Sequence, residues 1–149
     1  MLLSRRSSSD TTAHHQVFVD TRSTWVGKWP KGLPVAVMYM GGGNGKPSVW
    51  AHTKPFPVGD WLQLTFTVQA GVICPYINGV RSGTCSAAQP PQRRQLNTGE
   101  PLEVGGEDSY SSHPLWNLAS VLYYDRHLSE QEVAFNWRAS LCLEQGVCN

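Results

Sequence analysis

The clearest alternation of apolar and polar positions in the chain lies between residues 61 and 69. Its apolar positions are Leu62, Leu64, Phe66 and Val68, each followed by a polar residue. This period of two predicts a β-strand with one face in a core and a polar face opposite. Residues 72–77 are predicted to form the strand that pairs with it. The following Asn78-Gly79 is typical of a type I′ hairpin turn, and Pro75 predicts an edge or a bulge in that partner strand because it has no backbone donor.

Four more stretches predict strands: residues 16–20, 35–40, 48–52 and 102–105. Residues 35–40 are apolar throughout, and 48–52 follow them through a glycine-rich turn, which predicts a hairpin. Residues 86–99 are polar and predict a long loop.

Residues 115–124 form an apolar run that predicts a strand buried on both faces. A sharp turn is expected at Asp125-Arg126-His127.

A helix is predicted over residues 129–140. Ser129 and Glu132 have the spacing of a capping box, and Leu128 and Val133 that of a hydrophobic staple. An apolar stripe at four-residue spacing follows, made of Val133, Trp137 and Leu141.

Together with residues 57–67, 76–80 and 102–106, this strand-turn-helix segment resembles the laminin-G-like jelly-roll domain of the concanavalin A-like lectin/glucanase superfamily. The matching blocks stand in the family's order over residues 56–137. The resemblance implies an all-β sandwich of two antiparallel sheets with one short C-terminal helix. Family members usually open with further strands, so the resemblance also implies N-terminal strands that are absent or shortened. Residues 1–14 are predicted as a polar tail and 15–149 as the domain.

The sandwich predicts a shared apolar interior and a set of buried tryptophans. The interior is expected to hold Leu64, Phe66, Leu122 and Trp137. The tryptophans expected in the core are Trp61, Trp116 and Trp137.

Composition agrees with an all-β, loop-rich chain, because charged residues are only 15% while the chain has 14 glycines and 10 prolines. A net charge of +1 offers no electrostatic basis for binding nucleic acid or anionic membranes. No apolar run is long enough to span a bilayer. The chain starts with an Arg/Ser-rich segment and no secretory signal, which is expected of a fragment of a longer protein.

The four cysteines favour two local disulfides. Cys74 and Cys85 flank the Asn78-Gly79 turn, and Cys142 and Cys148 can close a small C-terminal loop. These pairs are favoured over the other two connectivities, and an even count points to an extracellular or secretory compartment. The alternative is four buried thiols in a cytosolic protein. The histidines show no ligand spacing beside the cysteines, so no zinc site is predicted.

No catalytic residues are predicted. Glycosidases of this superfamily place paired carboxylates at alternating positions of one strand. The acidic cluster here has the wrong spacing; its members are Glu100, Glu103, Glu107 and Asp108.

Calcium is the one cofactor considered, and none is required. Some laminin-G-like domains bind Ca²⁺ through loop carboxylates at the rim of the sandwich. Glu107 and Asp108 follow a predicted strand end and are the candidate ligands, with Asp20 or Asp60 approaching them. The alternative is a solvated turn in which Asp108 bonds its own backbone.

A carbohydrate site needs aromatic rings for stacking and polar groups for the hydroxyls. The candidate ligand-binding residues are Trp29, Trp50, Tyr110 and His113 from loops, with Gln63 and Thr65 on the polar sheet face. For each aromatic residue, plain packing is the alternative.

By resemblance, the predicted function is a non-catalytic binding module for carbohydrate or an extracellular protein surface. Two alternatives belong to other classes. One is a structural subunit that pairs with a neighbouring subunit, or within a parent multidomain protein, through an exposed sheet edge. The other is a glucan-active glycoside hydrolase.

Overall fold

The fold of the described residues is two antiparallel sheets and one C-terminal helix. The computed structural model describes residues 3–6, 14–20, 33–40, 49–87, 103–104 and 117–145. The strands are β1 (Leu3–Arg6), β2 (His14–Asp20), β3 (Val35–Met40), β4 (Val49–His52), β5 (Leu64–Gln69), β6 (Val72–Ile77), β7 (Val80–Arg81), β8 (Ser86–Ala87) and β9 (Glu103–Val104), and the helix is α1 (Glu130–Gln145). Sheet A has the order β4-β3-β2-β1-β9. Sheet B has the order β5-β6-β7, with β8 also on β6. The predicted sandwich with one helix is confirmed.

An apolar cluster joins the two sheets. Met40 on β3, Val49 and Ala51 on β4 and Ile73 on β6 are buried against one another. The partly buried Phe66 of β5 packs against the same cluster. The prediction that the apolar positions of β5 face a core is therefore confirmed at Phe66.

Helix α1 covers the other face of sheet B. Tyr76 on β6 is buried in a second cluster with Leu128 and Val133, and Cys74 packs against it. Since Cys74 and Tyr76 alternate with Ile73 and Pro75, they point away from sheet A. The described chain thus has three layers: sheet A, sheet B and α1.

The predicted Cys74–Cys85 disulfide is confirmed, and it joins β6 to the residue before β8. Cys142 is also disulfide-bonded. Its predicted partner, Cys148, lies outside the described residues.

Pro75 lies in a central strand, at the gap between two short neighbours. β7 pairs with residues 76–77 of β6, and β8 pairs with residues 72–73. The Pro75 carbonyl accepts a bond from Ser82 N–H on that side. In an antiparallel strand, the N and O of one residue point the same way. The missing N–H of Pro75 therefore faces the interruption between β7 and β8, and the predicted edge position is wrong because β6 has neighbours on both sides.

The start of α1 agrees with the sequence prediction. Ser129 Oγ accepts a bond from Glu132 N–H at 3.2 Å, and Glu132 Oε2 accepts one from Ser129 N–H at 2.8 Å. Leu128 and Val133 are buried together, as expected of a hydrophobic staple. The helix continues to Gln145, five residues beyond the predicted end.

Arg126 completes this network. Its guanidinium donates to Glu132 Oε1 at 2.6 Å. The Arg126 bond is the largest cause that lowers the pKa of Glu132 to about 2, and the bonds to Oε2 from Ser129 N–H and Ser129 Oγ–H lower it further. The same carboxylate raises the pKa of Arg126. The turn at 125–127 and the helix start are therefore tied to one carboxylate.

Three predictions about burial are wrong. Residues 117–124 form no strand, and all of them are exposed; Leu122 is 69% exposed. Trp61 is 55% exposed rather than in the core. The predicted shared interior therefore excludes Leu122. Trp137 is half-buried on α1, on the opposite side of sheet B from the inter-sheet cluster, and Trp116 lies outside the described residues.

Within the residues 1–14 predicted as a polar tail, Leu3–Arg6 form β1, which pairs with β2 and β9.

The turn between β6 and β7 supports α1 at very short range. Asn78 and Gly79 have φ values of 51° and 76°, as the predicted type I′ turn requires. A Cβ on Gly79 would lie 2.9 Å from Ala134 Cα and 3.0 Å from Trp137 Cβ. The helix therefore packs directly against the backbone of the turn.

We expect Gly79→Ala to lower the free energy of unfolding by about 1–3 kcal/mol, because the added methyl must push the helix away. Chemical denaturation measures this loss. Gly59→Ala is the matched control: Gly59 also has a positive φ, of 108°, but nothing lies within 4 Å of its Cβ position. Equal losses in the two variants would contradict the contact with the helix.

We expect Glu132→Gln to reduce thermal stability at neutral pH and to have little effect near pH 2. The Glu132 pKa is depressed in the folded protein from 4.5 to about 2. The stabilisation of the folded protein by the Glu132 carboxylate is therefore present above pH 4.5 and is lost as the pH falls toward 2. Melting temperatures across this range measure the effect. Glu130→Gln, which removes the exposed Arg81–Glu130 ion pair from the same helical turn, is the control and should change little.

Candidate functional site

Two aromatic rings lie side by side on the outer face of sheet A. Tyr39 on β3 is directly opposite Trp50 on β4. Their ring centroids are 4.2 Å apart and their planes are inclined by 40°. Met40 and Ala51, their sequence neighbours, are buried toward sheet B. Because side chains alternate along a strand, Tyr39 and Trp50 point away from the interior.

His52 extends this surface along β4. It lies two residues after Trp50 and is therefore on the same face. Tyr39, Trp50 and His52 are called the aromatic face below. Trp50 is 39% exposed, while Tyr39 and His52 are partly exposed.

One end of the aromatic face is closed. Val37 is opposite His52 in the register, and it is 6% exposed although it points the same way. Val35, two residues earlier, is also buried. The accessible part of this sheet face is therefore the end that carries Tyr39 and Trp50.

The strand beneath the aromatic face is fixed by hydrogen bonds just beyond His52. Thr53 N–H donates to the Ala36 carbonyl at 2.9 Å, and Ala36 N–H donates to Thr53 Oγ1 at 3.0 Å. Thr53 itself is fully buried. These bonds continue the pairing of β3 with the chain after β4, so His52 is held in extended backbone.

Sheet B also holds this end of β4. Lys54 N–H donates to Ser82 Oγ at 3.1 Å. Gly83 has a φ of 105°, and a Cβ there would overlap the carbonyl oxygen of His52. The turn after β7 thus packs against the backbone of His52, and the aromatic face rests on both sheets.

The ring of His52 has one polar contact with its own strand. Its Nδ1 lies 3.4 Å from the carbonyl oxygen of Thr53, which suits donation from a protonated Nδ1. A histidine in that tautomer presents Nε2 as an acceptor. The aromatic face therefore combines two rings for stacking with a polar imidazole.

The structure separates the predicted ligand-binding residues. Trp50 lies on β4 rather than in a loop, on the outer face of sheet A. Gln63 and Thr65 lie at positions that alternate with the core residue Phe66, so they belong to the α1 side of sheet B. They are on the opposite side of the sandwich from Trp50. The remaining predicted residues, Trp29, Tyr110 and His113, lie outside the described residues.

Gln63 has a visible structural role. Its N–H donates to Asn78 Oδ1 at 2.9 Å, and its carbonyl accepts from Asn78 N–H at 2.9 Å. Its Oε1 is buried without a hydrogen-bond partner. Gln63 therefore extends the pairing of β5 with β6 and closes onto the turn that supports α1.

Sequence reasoning missed Tyr39 and His52. The signal was available, because residues 35–40 and 48–52 were predicted as a hairpin. A register that places Met40 opposite Val49 also places Tyr39 opposite Trp50. What the pattern lacked was a means of telling the inner face from the outer one in an apolar strand.

The described residues hold no group of three or more histidine, cysteine, aspartate or glutamate side chains able to bind a metal ion. The predicted calcium ligands, Glu107 and Asp108, lie outside them. The described part of the chain has no helix with the length and apolar character needed to cross a membrane.

Comparison with known families identifies one match. The family model Laminin_G_3, of the Concanavalin A-like lectin/glucanases superfamily, matches residues 5–134. The chain therefore belongs to this family, as its sequence motifs predicted, and such domains are in general binding modules without catalytic activity. No curated protein and no solved structure matches the chain.

Proposed function

We propose that this laminin-G-like chain is a non-catalytic binding module that recognises carbohydrate through the aromatic face. The observation that carries the proposal is the Tyr39–Trp50 pair, two adjacent rings at the accessible end of a strand face. The apolar face of a sugar ring stacks on such side chains, and its hydroxyls bond nearby polar groups.

The polar group suited to the hydroxyls lies beside the rings. His52 is two residues beyond Trp50 on β4, on the same face. A polar group beside a stacking surface supplies orientation, and the rings supply contact area.

Rigidity favours binding on this face. The pairing through Thr53 and the support from Ser82 and Gly83 hold the strand end in place before a ligand arrives. A site that is ordered beforehand loses less conformational entropy on binding.

The Cys74–Cys85 disulfide supports a site of action in an oxidising, extracellular or secretory compartment. The proposal includes an optional calcium ion, with Glu107 and Asp108 as its ligands. A thermal-shift measurement with and without added Ca²⁺ tests that part separately, since a metal that binds the folded state raises its melting temperature.

We expect Trp50→Ala to weaken carbohydrate binding about thirtyfold or more, because removal of a central aromatic contact costs on the order of 2 kcal/mol. A glycan array identifies the sugar, and titration calorimetry with that sugar measures the affinity. Trp61→Ala is the matched control: it removes an exposed tryptophan on the loop before β5 and should leave the affinity unchanged. Equal losses in both variants, or no bound glycan, would contradict the proposal.

A second candidate function is a protein-binding or assembly subunit. The observation that favours it is the run of exposed apolar residues before α1. A flat glycan array together with concentration-dependent association would favour this candidate over carbohydrate recognition.

A further inference from the structure

Residues 117–124, here called the apolar segment, have the composition of a strand without the pairing of one. Its large apolar side chains are Leu118, Val121, Leu122, Tyr123 and Tyr124, and between 39% and 69% of each is exposed. The segment has no charged residue. No backbone hydrogen bond joins it to another described residue. A hydrogen bond from Asn136 Nδ2 to Tyr124 OH, at 3.0 Å, links its end to α1.

Sheet B has an open edge that accepts such a segment. β5 pairs with β6 on one side and with no described strand on the other. Gln69 and Val72 flank the two-residue turn and form its closing hydrogen-bonded pair. Polar backbone groups alternate in direction along a strand, so those of Leu64, Phe66 and Val68 point to the open side. Val68 is 38% exposed there.

We propose that the apolar segment of one copy pairs with the β5 edge of a second copy, and that the exchange is reciprocal. Each copy has one apolar segment and one β5 edge. A two-fold axis therefore closes the assembly at a dimer in which both β5 edges are paired. Backbone pairing of this kind is a recurring mode of recognition, with alternate side chains supplying specificity.

The alternation of the apolar segment suits this position. Val121 and Tyr123 lie on one side of an extended chain, and Leu122 and Tyr124 on the other. A strand added beside β5 continues both faces of sheet B. One side of it lies beside Phe66 and Val68, toward sheet A, and the other beside Thr65 and Thr67, on the α1 side of sheet B. Apolar side chains on both sides of the added strand then pack against side chains of β5.

The area is also sufficient. A large aromatic side chain buries roughly 150–250 Å² in full, so the five half-exposed side chains offer on the order of 400 Å² per copy. Each segment covers a matching area on the edge that receives it. The reciprocal exchange therefore buries on the order of 1,600 Å², the size of a standard stable interface. A single exposed segment in a monomer would leave this apolar surface in water.

Two variants test the two halves of the contact. Val121→Pro removes a backbone donor in the middle of the apolar segment. Val68→Pro removes an outward-pointing donor from the β5 edge, and its loss leaves the bonds to β6 in place. Val58→Pro, at a 77% exposed position in neither half, is the control. Circular dichroism and melting curves show that each variant is folded.

Sedimentation velocity over a range of concentrations measures the association. We expect the native chain and Val58→Pro to form dimers. Val121→Pro and Val68→Pro should each weaken association by roughly thirtyfold or more, the scale of losing a central interface residue.

An equimolar mixture of the two variants gives the decisive result. The intact segment of Val68→Pro then meets the intact edge of Val121→Pro, so a heterodimer with one productive contact should form more readily than either homodimer. Association of Val68→Pro that matched the native chain would show that segments pair with each other, and would overturn the proposal. A native chain that stays monomeric, whether or not hydrogen exchange shows its apolar segment protected, would overturn it as well.

This proposal does not depend on the aromatic face. Trp50→Ala should leave the sedimentation behaviour unchanged, and Val68→Pro should leave carbohydrate affinity unchanged. The two proposals can therefore fail separately.

Discussion

The burial of Ile73 against Met40, Val49 and Ala51 is the contact on which the other features of this molecule depend. It decides which side of β3 and β4 faces the interior. Since the register places Met40 opposite Val49, the next pair along, Tyr39 and Trp50, must face outward. A one-residue slip between these strands would exchange the two faces and bury the rings. The accessible aromatic surface is thus a direct result of core packing in the layer beneath it.

Sheet B is under a different constraint, because both of its faces are covered. Sheet A lies against the side that carries Ile73, and α1 lies against the side that carries Tyr76. The polar residues of β5 are consequently not an open binding surface: Thr67 is only 4% exposed. Gln63 hydrogen-bonds the turn beneath the helix instead of facing solvent. A polar strand face therefore indicates a hydrated surface only when no further layer covers it.

The features predicted well from the sequence are those determined within a few residues. The Asn78-Gly79 turn, the Ser129–Glu132 capping box and the Cys74–Cys85 bridge are all local in this sense, and the structure contains all three. Six strands, β2 to β6 and β9, were also located to within a few residues by their apolar patterns, whereas β1, β7 and β8 were not predicted. Local stereochemistry and hydrogen bonding were sufficient for these elements.

The features predicted poorly depend on distant partners. Residues 117–124 have every local property of a buried strand, but a strand also needs a neighbouring edge, and no pattern inside the segment specifies one. In the same way, Trp50 was selected because it is aromatic, while Tyr39 was absorbed into an apolar strand. Their proximity follows from hairpin register, and their accessibility follows from inter-sheet packing. Both are properties of the assembled layers rather than of either residue.

The Cys74–Cys85 disulfide affects the structure of β4 as well as that of β6, the strand that it joins. Cys85 anchors the end of the short connection that leaves β7, and Ser82 and Gly83 of that connection support the strand end below His52. A covalent link in one sheet therefore limits how far the backbone of the other can move. Closure of this disulfide therefore does more than stabilise the chain, because it also stiffens the strand end beneath the aromatic face.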